Sequence, residues 1–256
     1  MGALRGKTIF ITGASSGIGK ACAEAFAKEG SRLILAARRE DRLLEVGKDL
    51  EKKFGVKTKS YQLDVRNLKE VKKTISSFPD DWKKIDILIN NAGLARGFSK
   101  IYEGDILHWE EMIDTNVKGL LYVTREILPL MIENGSGHVI NIGSTAGHEV
   151  YLNGNVYCAT KFAVNALTQS IRIDVLDKNI KVSTVDPGMV ETEFSLVRYS
   201  GDNEKAKNTY NGLKPLKAED VANAVLFCAS QPDHVNINEI IITPSVQASS
   251  NHVFRK

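Results

Sequence analysis

The chain has 256 residues, of which 43% are hydrophobic and 25% charged, the composition of a globular protein with one large domain or two small ones. A net charge of +3 gives no support for nucleic-acid binding, and no apolar run approaches the roughly 18 residues of a membrane span. The three cysteines, Cys22, Cys158 and Cys228, show neither a disulfide framework nor metal-ligand spacing. We therefore expect a cytoplasmic protein without a metal, a nucleic-acid partner or a membrane partner.

Short β-branched runs alternate with helical patterns along the whole chain. This alternation predicts a parallel sheet with helices on both faces, a single doubly wound, Rossmann-like α/β domain over residues 1–256. In chain order the predicted elements are strand 7–12, helix 20–29, strand 32–37, helix 40–54, strand 58–65, helix 67–77, a strand within 85–93 that ends in a polar turn, a long helical region from about 109 to 133, strand 137–144, a helix containing 155–164, strand 180–188, helix 219–230 and strand 238–244.

One polar stretch, residues 189–216, interrupts this alternation between a strand and a helix. Long excursions of this kind in compact domains are usually functional lids or binding loops. We therefore predict a substrate lid at 189–216.

The motif "TGASSGIG" (12–19) lies between the first predicted strand and the first helix. Gly13 permits a tight turn, Gly17 lets the backbone approach a pyrophosphate, and Gly19 allows close packing of helix against strand. A plain turn would also use glycines, but the strand–turn–helix position favours phosphate binding at a helix N-terminus. The residues of this predicted cofactor turn are Gly13, Ser15, Ser16, Gly17, Ile18 and Gly19.

The second strand ends in "LAARRE", which bears on the type of cofactor. A dinucleotide fold specific for NAD places a carboxylate here for the ribose hydroxyls, but this chain has Ala37 followed by Arg38 and Arg39. Guanidinium groups pair with a 2′-phosphate, so the motif predicts NADP. The carboxylates of Glu40 and Asp41, which follow directly, would weaken the preference for NADP over NAD. At the adenine side we expect Asp64 and Val65.

A tyrosine and a lysine lie four residues apart in "NVYCATKFAV" (155–164), so a helix would place both on one face. A surface tyrosine covering a lysine stem is the alternative. To act as a base near pH 7, Tyr157 needs a pKa about three units below 10, which is about 4 kcal/mol. An ammonium about 4 Å away, at an effective dielectric of about 20, supplies about that much. The spacing therefore predicts that Lys161 lowers the pKa of Tyr157.

Taken together, "TGASSGIG", "NNAG" (90–93), Asn116 in "DTNVKG", Ser144, "YCATK" (157–161) and "PG" (187–188) resemble the short-chain dehydrogenase/reductases over nearly the whole chain. The segments "IGSTAG", "VETEFSLVRYSGDNEKA" and "NHVFRK" resemble the NADP-dependent 3-hydroxy acid dehydrogenases. That branch includes serine/allo-threonine dehydrogenases and malonic semialdehyde reductases. The resemblance implies a Rossmann-like fold, hydride transfer to or from NADP, and a homotetramer.

The resemblance also implies roles for individual residues. Tyr157 would exchange a proton with the substrate oxygen, Lys161 would lower the pKa of Tyr157, and Ser144 would orient the substrate oxygen by a hydrogen bond. Asn116 would shape a kink and hold water in a proton relay, unless it is simply an exposed helix residue. The residues implied to line the cofactor cleft are Asn91, Ala92, Gly93, Tyr157, Lys161, Pro187, Gly188, Val190 and Thr192.

A 3-hydroxy acid needs a cation for its carboxylate, and a forked guanidinium suits it best. We predict Arg198 in the lid for this role, together with Ser144 and Tyr157 at the reacting end. Arg96, Lys100 and Arg255 compete with Arg198, and an exposed loop arginine is the plain alternative.

Two other functions use the same motifs. One is reduction of another small-molecule carbonyl class, such as 3-oxoacyl thioesters, sugars or steroids. The other is a binding module that senses NADPH without turnover, although such proteins usually lose the tyrosine or the lysine.

Overall fold

The computed structural model of the protein describes residues 4–256, and within them seven strands form one sheet. The strands are β1 Thr8–Thr12, β2 Arg32–Ala37, β3 Thr58–Gln62, β4 Ile87–Asn90, β5 Gly137–Ile142, β6 Ile180–Pro187 and β7 Glu239–Ile242. All neighbouring strands are parallel, in the order β3-β2-β1-β4-β5-β6-β7. The predicted seven-stranded, doubly wound fold is confirmed.

The helices cover both faces of this sheet. They are α1 Gly17–Lys28, α2 Glu40–Phe54, α3 Leu68–Ser76, α4 Ile106–Ile113, α5 Leu120–Glu133, α6 Asn155–Asp174, α7 Glu193–Arg198, α8 Asn203–Asn208 and α9 Ala218–Ala229. In α2, for example, Leu43, Val46 and Leu50 recur at helical spacing and are buried, and Gly55 ends the helix with a φ of +67°. Among residues 4–256, no helix has the length and apolar character to cross a membrane.

Two hydrophobic layers enclose the sheet because its parallel strands are buried on both faces. Ile9 and Ile11 of β1 pack into the layer under α1, α2 and α9, whereas Phe10 packs into the layer under α3, α5 and α6. All three side chains are fully buried, and each contributes about 1.5–3 kcal/mol relative to exposure. This two-sided burial explains why inner strands such as β1, β2 and β4 are rich in apolar residues.

The long helical region predicted at about 109–133 is confirmed, but it is not one uniform α-helix. The chain instead forms α4, a π-helical segment Asp114–Gly119 and then α5. Gly119 lies so close to the third strand's end that a Cβ atom would stand 2.6 Å from Val65 Cγ2. The wider π turn places Asn116 toward the loop after β4, where its side chain bonds the backbone of Leu94.

The predicted lid, 189–216, contains two short helices, α7 and α8, rather than an open loop. The C-terminal residues hold its far end: Arg255 donates to the carbonyls of Asn211 (2.6 Å) and Thr209 (3.1 Å). The backbone N–H of Lys256 donates to the carbonyl of Gly212 at 2.9 Å. The tail therefore packs on the lid of its own chain.

Candidate active site

A cleft of about 340 Å³ opens at the carboxyl ends of the strands. The strand order reverses between β1 and β4, since β2 and β3 lie on one side of β1 and β4 to β7 lie on the other. Ligands bind at such switch points in doubly wound sheets. The sequence-predicted residues that line the cleft are Gly13, Ser15, Ser16, Gly17, Ile18, Arg38, Arg39, Asp64, Val65, Asn91, Ala92, Gly93, Ser144, Tyr157, Lys161, Pro187, Gly188, Val190 and Thr192. Gly19, Asn116 and Arg198 lie beside this cleft and are described below.

The glycine turn is shaped to receive a phosphate group. Gly13 and Gly17 have φ of +66° and +52°, which favour glycine. A Cβ atom at Gly13 would stand 2.8 Å from Asn91 Nδ2, and one at Gly19 would stand 2.4 Å from the same nitrogen. Asn91 braces the turn by donating to the carbonyls of Thr12 and Gly13 at 2.9 and 3.2 Å. Gly19 thus allows the first helix to pack closely against the loop after β1, in agreement with the prediction. Gly13 and Gly17 border the cleft.

The first helix leaves its N-terminal N–H groups without a side-chain cap, since Ser16 at the N-cap position accepts no capping hydrogen bond. Uncapped N–H groups at a helix N-terminus attract phosphate oxygens. The donor set of the turn therefore fits the pyrophosphate of a dinucleotide.

Guanidinium groups border the adenine side of the cleft. Arg39 donates to Ser16 Oγ at 2.7 Å and to Glu193 Oε2 at 2.8 Å. Arg42 donates to Glu193 Oε1 at 2.7 Å. The hydrogen bond from Arg39, followed by that from Arg42, holds the pKa of Glu193 below its ordinary value. The lid carboxylate is thus ionised, and the arginines form an anion site that fits a 2′-phosphate.

Helix α6 brings the tyrosine and the lysine to one buried face, as their spacing predicts. Tyr157 is 8% exposed and Lys161 7% exposed, and Lys161 Nζ lies 5.9 Å from the centroid of the Tyr157 ring. The ammonium donates to the carbonyl of Ile142 at the end of β5, at 2.9 Å. Ser144 Oγ accepts from the backbone N–H of Ala146 at 3.1 Å, which leaves the hydroxyl hydrogen available to donate.

The pKa of Tyr157 is raised in the protein alone, so the net lowering toward 7 that the spacing predicts is not reached there, and the contribution of Lys161 stays a prediction. Burial is the main cause, and the neighbouring Tyr151 adds to it, whereas the Ser144 hydroxyl and the Arg198 charge act in the opposite direction. Burial lowers the pKa of Lys161 to about 8, and Asp186 raises it. Desolvation outweighs the cations around the phenol, so Tyr157 is neutral and Lys161 largely charged near pH 7.

Asn116 is buried next to the site, and its side chain is held by protein groups. Its Oδ1 accepts from the N–H of Leu94 at 2.9 Å, and its Nδ2 donates to the carbonyl of Leu94 (2.8 Å) and to Thr160 Oγ1 (3.0 Å). A Cβ atom at Gly93 would stand 3.3 Å from Asn116 Oδ1 and 3.8 Å from Lys161 Nζ. The side chain thus fixes the loop after β4, and its relay role stays a prediction.

A smaller pocket adjoins Tyr157 on the side of the lid, and Arg198 from the end of α7 lines it. The guanidinium carbon lies 5.4 Å from the centroids of the Tyr157 and Tyr151 rings and 5.2 Å from that of Phe98. Arg198 donates to the Tyr151 hydroxyl, but no carboxylate within residues 4–256 lies within ion-pair distance of it. A half-buried cation without a counterion thus faces the pocket beside the phenol.

The competing cations have other partners. Arg96 borders the same pocket but donates to Glu111 Oε2 at 2.7 Å and to the carbonyl of Val197 at 3.0 Å. Lys100 lies over the exposed ring of Tyr102, 5.6 Å from its centroid, and Arg255 bonds the lid carbonyls. Among the four predicted candidates, the geometry favours Arg198 for a substrate anion.

The sequence profile of the family described as "short chain dehydrogenase" matches residues 7–202. The chain belongs to this short chain dehydrogenase family. It is 46% identical to the "NADP-dependent 3-hydroxy acid dehydrogenase" of Schizosaccharomyces pombe, across 100% of this chain and 99% of that protein. It is 43% identical to the "Serine 3-dehydrogenase" of Rhizobium radiobacter, across 94% and 95% of the two chains.

Solved structures agree with this assignment to the short chain dehydrogenases. The closed form of a serine dehydrogenase complexed with NADP+ superposes with a TM-score of 0.91 at 42% identity, covering 97% of this chain and all of that one. The serine dehydrogenase of Escherichia coli has a TM-score of 0.81 at 38% identity, covering 94% and 99% of the two chains.

Some features of this short chain dehydrogenase have no signal in the sequence motifs. Tyr151 and Phe98 enclose Arg198, yet neither stands at a diagnostic spacing from it. Glu193 pairs with Arg39 across 154 positions of chain, and Asp186 contacts His148 across 38. The one signal in the sequence is that Asp186 directly precedes Pro187 and Gly188, which are predicted to line the cofactor cleft.

Proposed function

We propose that this short chain dehydrogenase transfers a hydride between NADP(H) and the 3-position of a small 3-hydroxy acid or 3-oxo acid, such as serine, allo-threonine, 3-hydroxyisobutyrate or 3-hydroxypropionate. The names of its relatives and the NADP+ complex of its structural neighbour support the reaction and the cofactor. The observation that carries the substrate class is Arg198, a guanidinium without a carboxylate partner in the described chain, 5.4 Å from the Tyr157 ring.

The proposed cofactor residues fall into four groups along the cleft. The glycine turn with Ser15 and Ser16 would hold the pyrophosphate, Arg38 and Arg39 the 2′-phosphate, and Asp64 and Val65 the adenine. The nicotinamide would meet Pro187, Gly188, Val190 and Thr192, and Asn91, Ala92 and Gly93 would line the cleft between the two ends. When bound, the cofactor supplies or accepts the hydride at its nicotinamide ring.

The raised pKa of Tyr157 suits a proton donor in carbonyl reduction. The phenol gives its proton to the carbonyl oxygen while the hydride adds to the carbon, so the product is an alcohol and Tyr157 is left as a phenolate. The Lys161 ammonium stabilises that phenolate, and the free hydrogen of Ser144 bonds the same substrate oxygen. In oxidation these proton movements run backwards, with Tyr157 as the base.

The proposal includes the assembly and its location. Exposed apolar side chains, among them Phe162 (42%), Ile173 (74%), Phe227 (53%) and Ile241 (53%), lie on α6, α9 and β7. They support a homotetramer built from one catalytic domain over residues 1–256, with the lid at 189–216. The three cysteines are free and buried, which supports a cytoplasmic location. Sedimentation equilibrium is expected to give a molecular mass of four times 28.2 kDa.

A substrate panel tests the proposed function. We expect oxidation of serine, 3-hydroxyisobutyrate or 3-hydroxypropionate with NADP, monitored as absorbance of the reduced cofactor. Neutral secondary alcohols should have kcat/KM lower by about 10-fold or more, because they leave the Arg198 guanidinium unpaired. Faster reduction of a 3-oxoacyl thioester, a sugar or a steroid would favour the other carbonyl classes, and binding of NADPH without turnover of any substrate would favour a sensor.

Glu193 and Arg39 provide a test of the cofactor site. Arg39→Gln should raise the Kd of NADPH by about 10- to 100-fold and leave that of NADH unchanged, because only NADPH carries the 2′-phosphate. Glu193→Gln should lower the Kd of NADPH, since the carboxylate no longer competes for the guanidinium. Fluorescence titration measures both, with Lys52→Gln at the far end of α2 as the control. Equal changes for the two cofactors would contradict this assignment.

A further inference from the structure

A second charged cluster lies at the ends of β5 and β6, formed by His148, Asp186 and Glu239, which do not line the cleft. Asp186, near the end of β6, is 2% exposed and accepts from Thr184 Oγ1 at 2.6 Å. Its other oxygen is 2.8 Å from His148 Nε2. Glu239, the first residue of β7, places Oε1 3.4 Å from the same histidine nitrogen. Two carboxylates thus meet at one nitrogen of the His148 imidazole.

This cluster reaches Lys161 through the backbone at the end of β5. The lysine ammonium bonds the carbonyl of Ile142, and the next residue is Gly143. A Cβ atom on Gly143 would stand only 1.7 Å from Asp186 Oδ1, so the carboxylate lies directly against this peptide. Asp186 also acts on the lysine by charge, since it opposes the lowering of the Lys161 pKa by burial.

Charges of both signs surround the cluster. Burial and the neighbouring Asp186 raise the pKa of Glu239, whereas the charge of Arg172 lowers it. Arg172 is held nearby by donating to the carbonyls of Val182 and Asn238, both at 2.9 Å. One nitrogen of His148 contacts both carboxylates, and its other nitrogen lies 3.4 Å from Asn165 Nδ2.

A buried ammonium without a counter-charge loses its proton readily, because desolvation penalises the charged form. Within the described chain, Lys161 makes no salt bridge, and the carbonyl of Ile142 is its hydrogen-bond acceptor. We propose that Asp186, held by Thr184 and His148, is a positioning residue that keeps the Lys161 ammonium charged from behind the cleft. This inference rests on the proposed function, in which the charge of Lys161 stabilises the Tyr157 phenolate.

The arrangement explains a glycine that the dinucleotide motif does not require. Gly143 has its N–H bonded to the carbonyl of Val185, and any side chain there would collide with the Asp186 carboxylate. The glycine thus lets the counter-charge approach the peptide that holds Lys161. The groups that face this pair are Tyr157 on the side of the cleft and Thr184, His148 and Glu239 on the side of β6 and β7.

The test measures the titration of Lys161 directly in the cofactor-free protein. Trace acetic anhydride labels the neutral amine, and peptide mass spectrometry gives the labelled fraction of Lys161 against pH. Asp186→Asn should move the labelling midpoint lower by about one pH unit. The fall in kcat for 3-oxo acid reduction at alkaline pH should shift by the same amount, since that limb reports loss of the Lys161 charge.

A second variant keeps the test decisive if Asp186→Asn does not fold. His148 is 27% exposed at its side chain, and His148→Ala removes the donor between the two carboxylates. They then share a proton, the charge on Asp186 falls, and the midpoint should move in the same direction by less. Asp233→Asn, an exposed carboxylate near Lys181 at the other end of β6, is the matched control and should change nothing.

An unchanged or raised midpoint in folded Asp186→Asn, or in His148→Ala if the first does not fold, would overturn the proposal. The labelling needs no substrate and no cofactor. A shifted midpoint in a protein that turns over no 3-hydroxy acid would therefore leave the Asp186 proposal standing and refute the proposed function alone.

Discussion

Tyr157→Phe should lower kcat for reduction of a 3-oxo acid by about 10²- to 10⁴-fold, the usual contribution of a positioned general acid. The substitution removes only the hydroxyl that carries the proton. The ring keeps its packing, including the edge contact with Phe194 at a centroid distance of 5.6 Å. Steady-state rates with NADPH, together with fluorescence titration of NADPH, measure the effect. NADPH affinity should change by less than about threefold, since the loss concerns proton transfer.

The matched control for this experiment is Tyr151→Phe. Tyr151 belongs to the same pocket, but its hydroxyl accepts from Arg198. Losing it should raise KM for the substrate acid through a less fixed guanidinium and leave kcat within about threefold of the parent. Turnover by Tyr157→Phe at the parent's rate would mean that another group or a water carries the proton. The assignment of the acid to this residue would then be wrong.

The inner strands could be predicted because two-sided burial makes them largely apolar, whereas the edge strands β3 and β7 are less buried. The strand ends were less accurate: the run 58–65 predicted a longer strand than β3, Thr58–Gln62. Residues 63–65 lie beyond the strand and line the cleft. Leu63 and Val65 are buried there as strand residues would be, so a pattern of apolar residues does not locate the strand end. The polar turn predicted at the end of the run 85–93 is confirmed, since β4 ends at Asn90.

Long-range contacts explain what the pattern misassigned around α4 and α5. The π-helical segment depends on Gly119 against Val65 and on Asn116 against Leu94, and neither contact is visible in a local window. The lid was read as a polar excursion, yet it forms α7 and α8, which begin at the N-caps Thr192 and Asp202. Both residues are ordinary capping types, but so short a helix has little periodicity to detect.

The residues that motif spacing predicted lie together at one cleft, but the spacing did not predict their electrostatics. The four-residue spacing correctly indicated that Tyr157 and Lys161 share a face. The direction of the Tyr157 pKa depends on burial, and burial follows from the packing of α6 and the lid, which spacing does not describe. The family resemblance is confirmed by the profile match and by the relatives, whereas the catalytic and binding roles rest on the experiments above.

Substitution of Arg198 should have its largest effect on substrate selection. Arg198→Met keeps the length and the apolar stem of the side chain and removes the charge. It should raise KM for a 3-hydroxy acid by about 10- to 100-fold, because a hydrogen bond to a charged group is worth about 1.5–3 kcal/mol. KM for a neutral secondary alcohol of similar size should change by less than about threefold. Initial rates over a range of each substrate, at saturating NADP, separate the two.

Two further variants show whether charge or packing is responsible. Arg198→Lys keeps a cation but loses the fork, so its KM for the acid should lie between those of the parent and of Arg198→Met. Lys100→Ala removes the exposed cation over Tyr102 and should leave both substrates unaffected. If Arg198→Met instead raises KM equally for the acid and the neutral alcohol, the guanidinium only supports the rings of Tyr151 and Phe98. The substrate class would then have to be assigned from another cation at the pocket, of which Arg96 is the first to test.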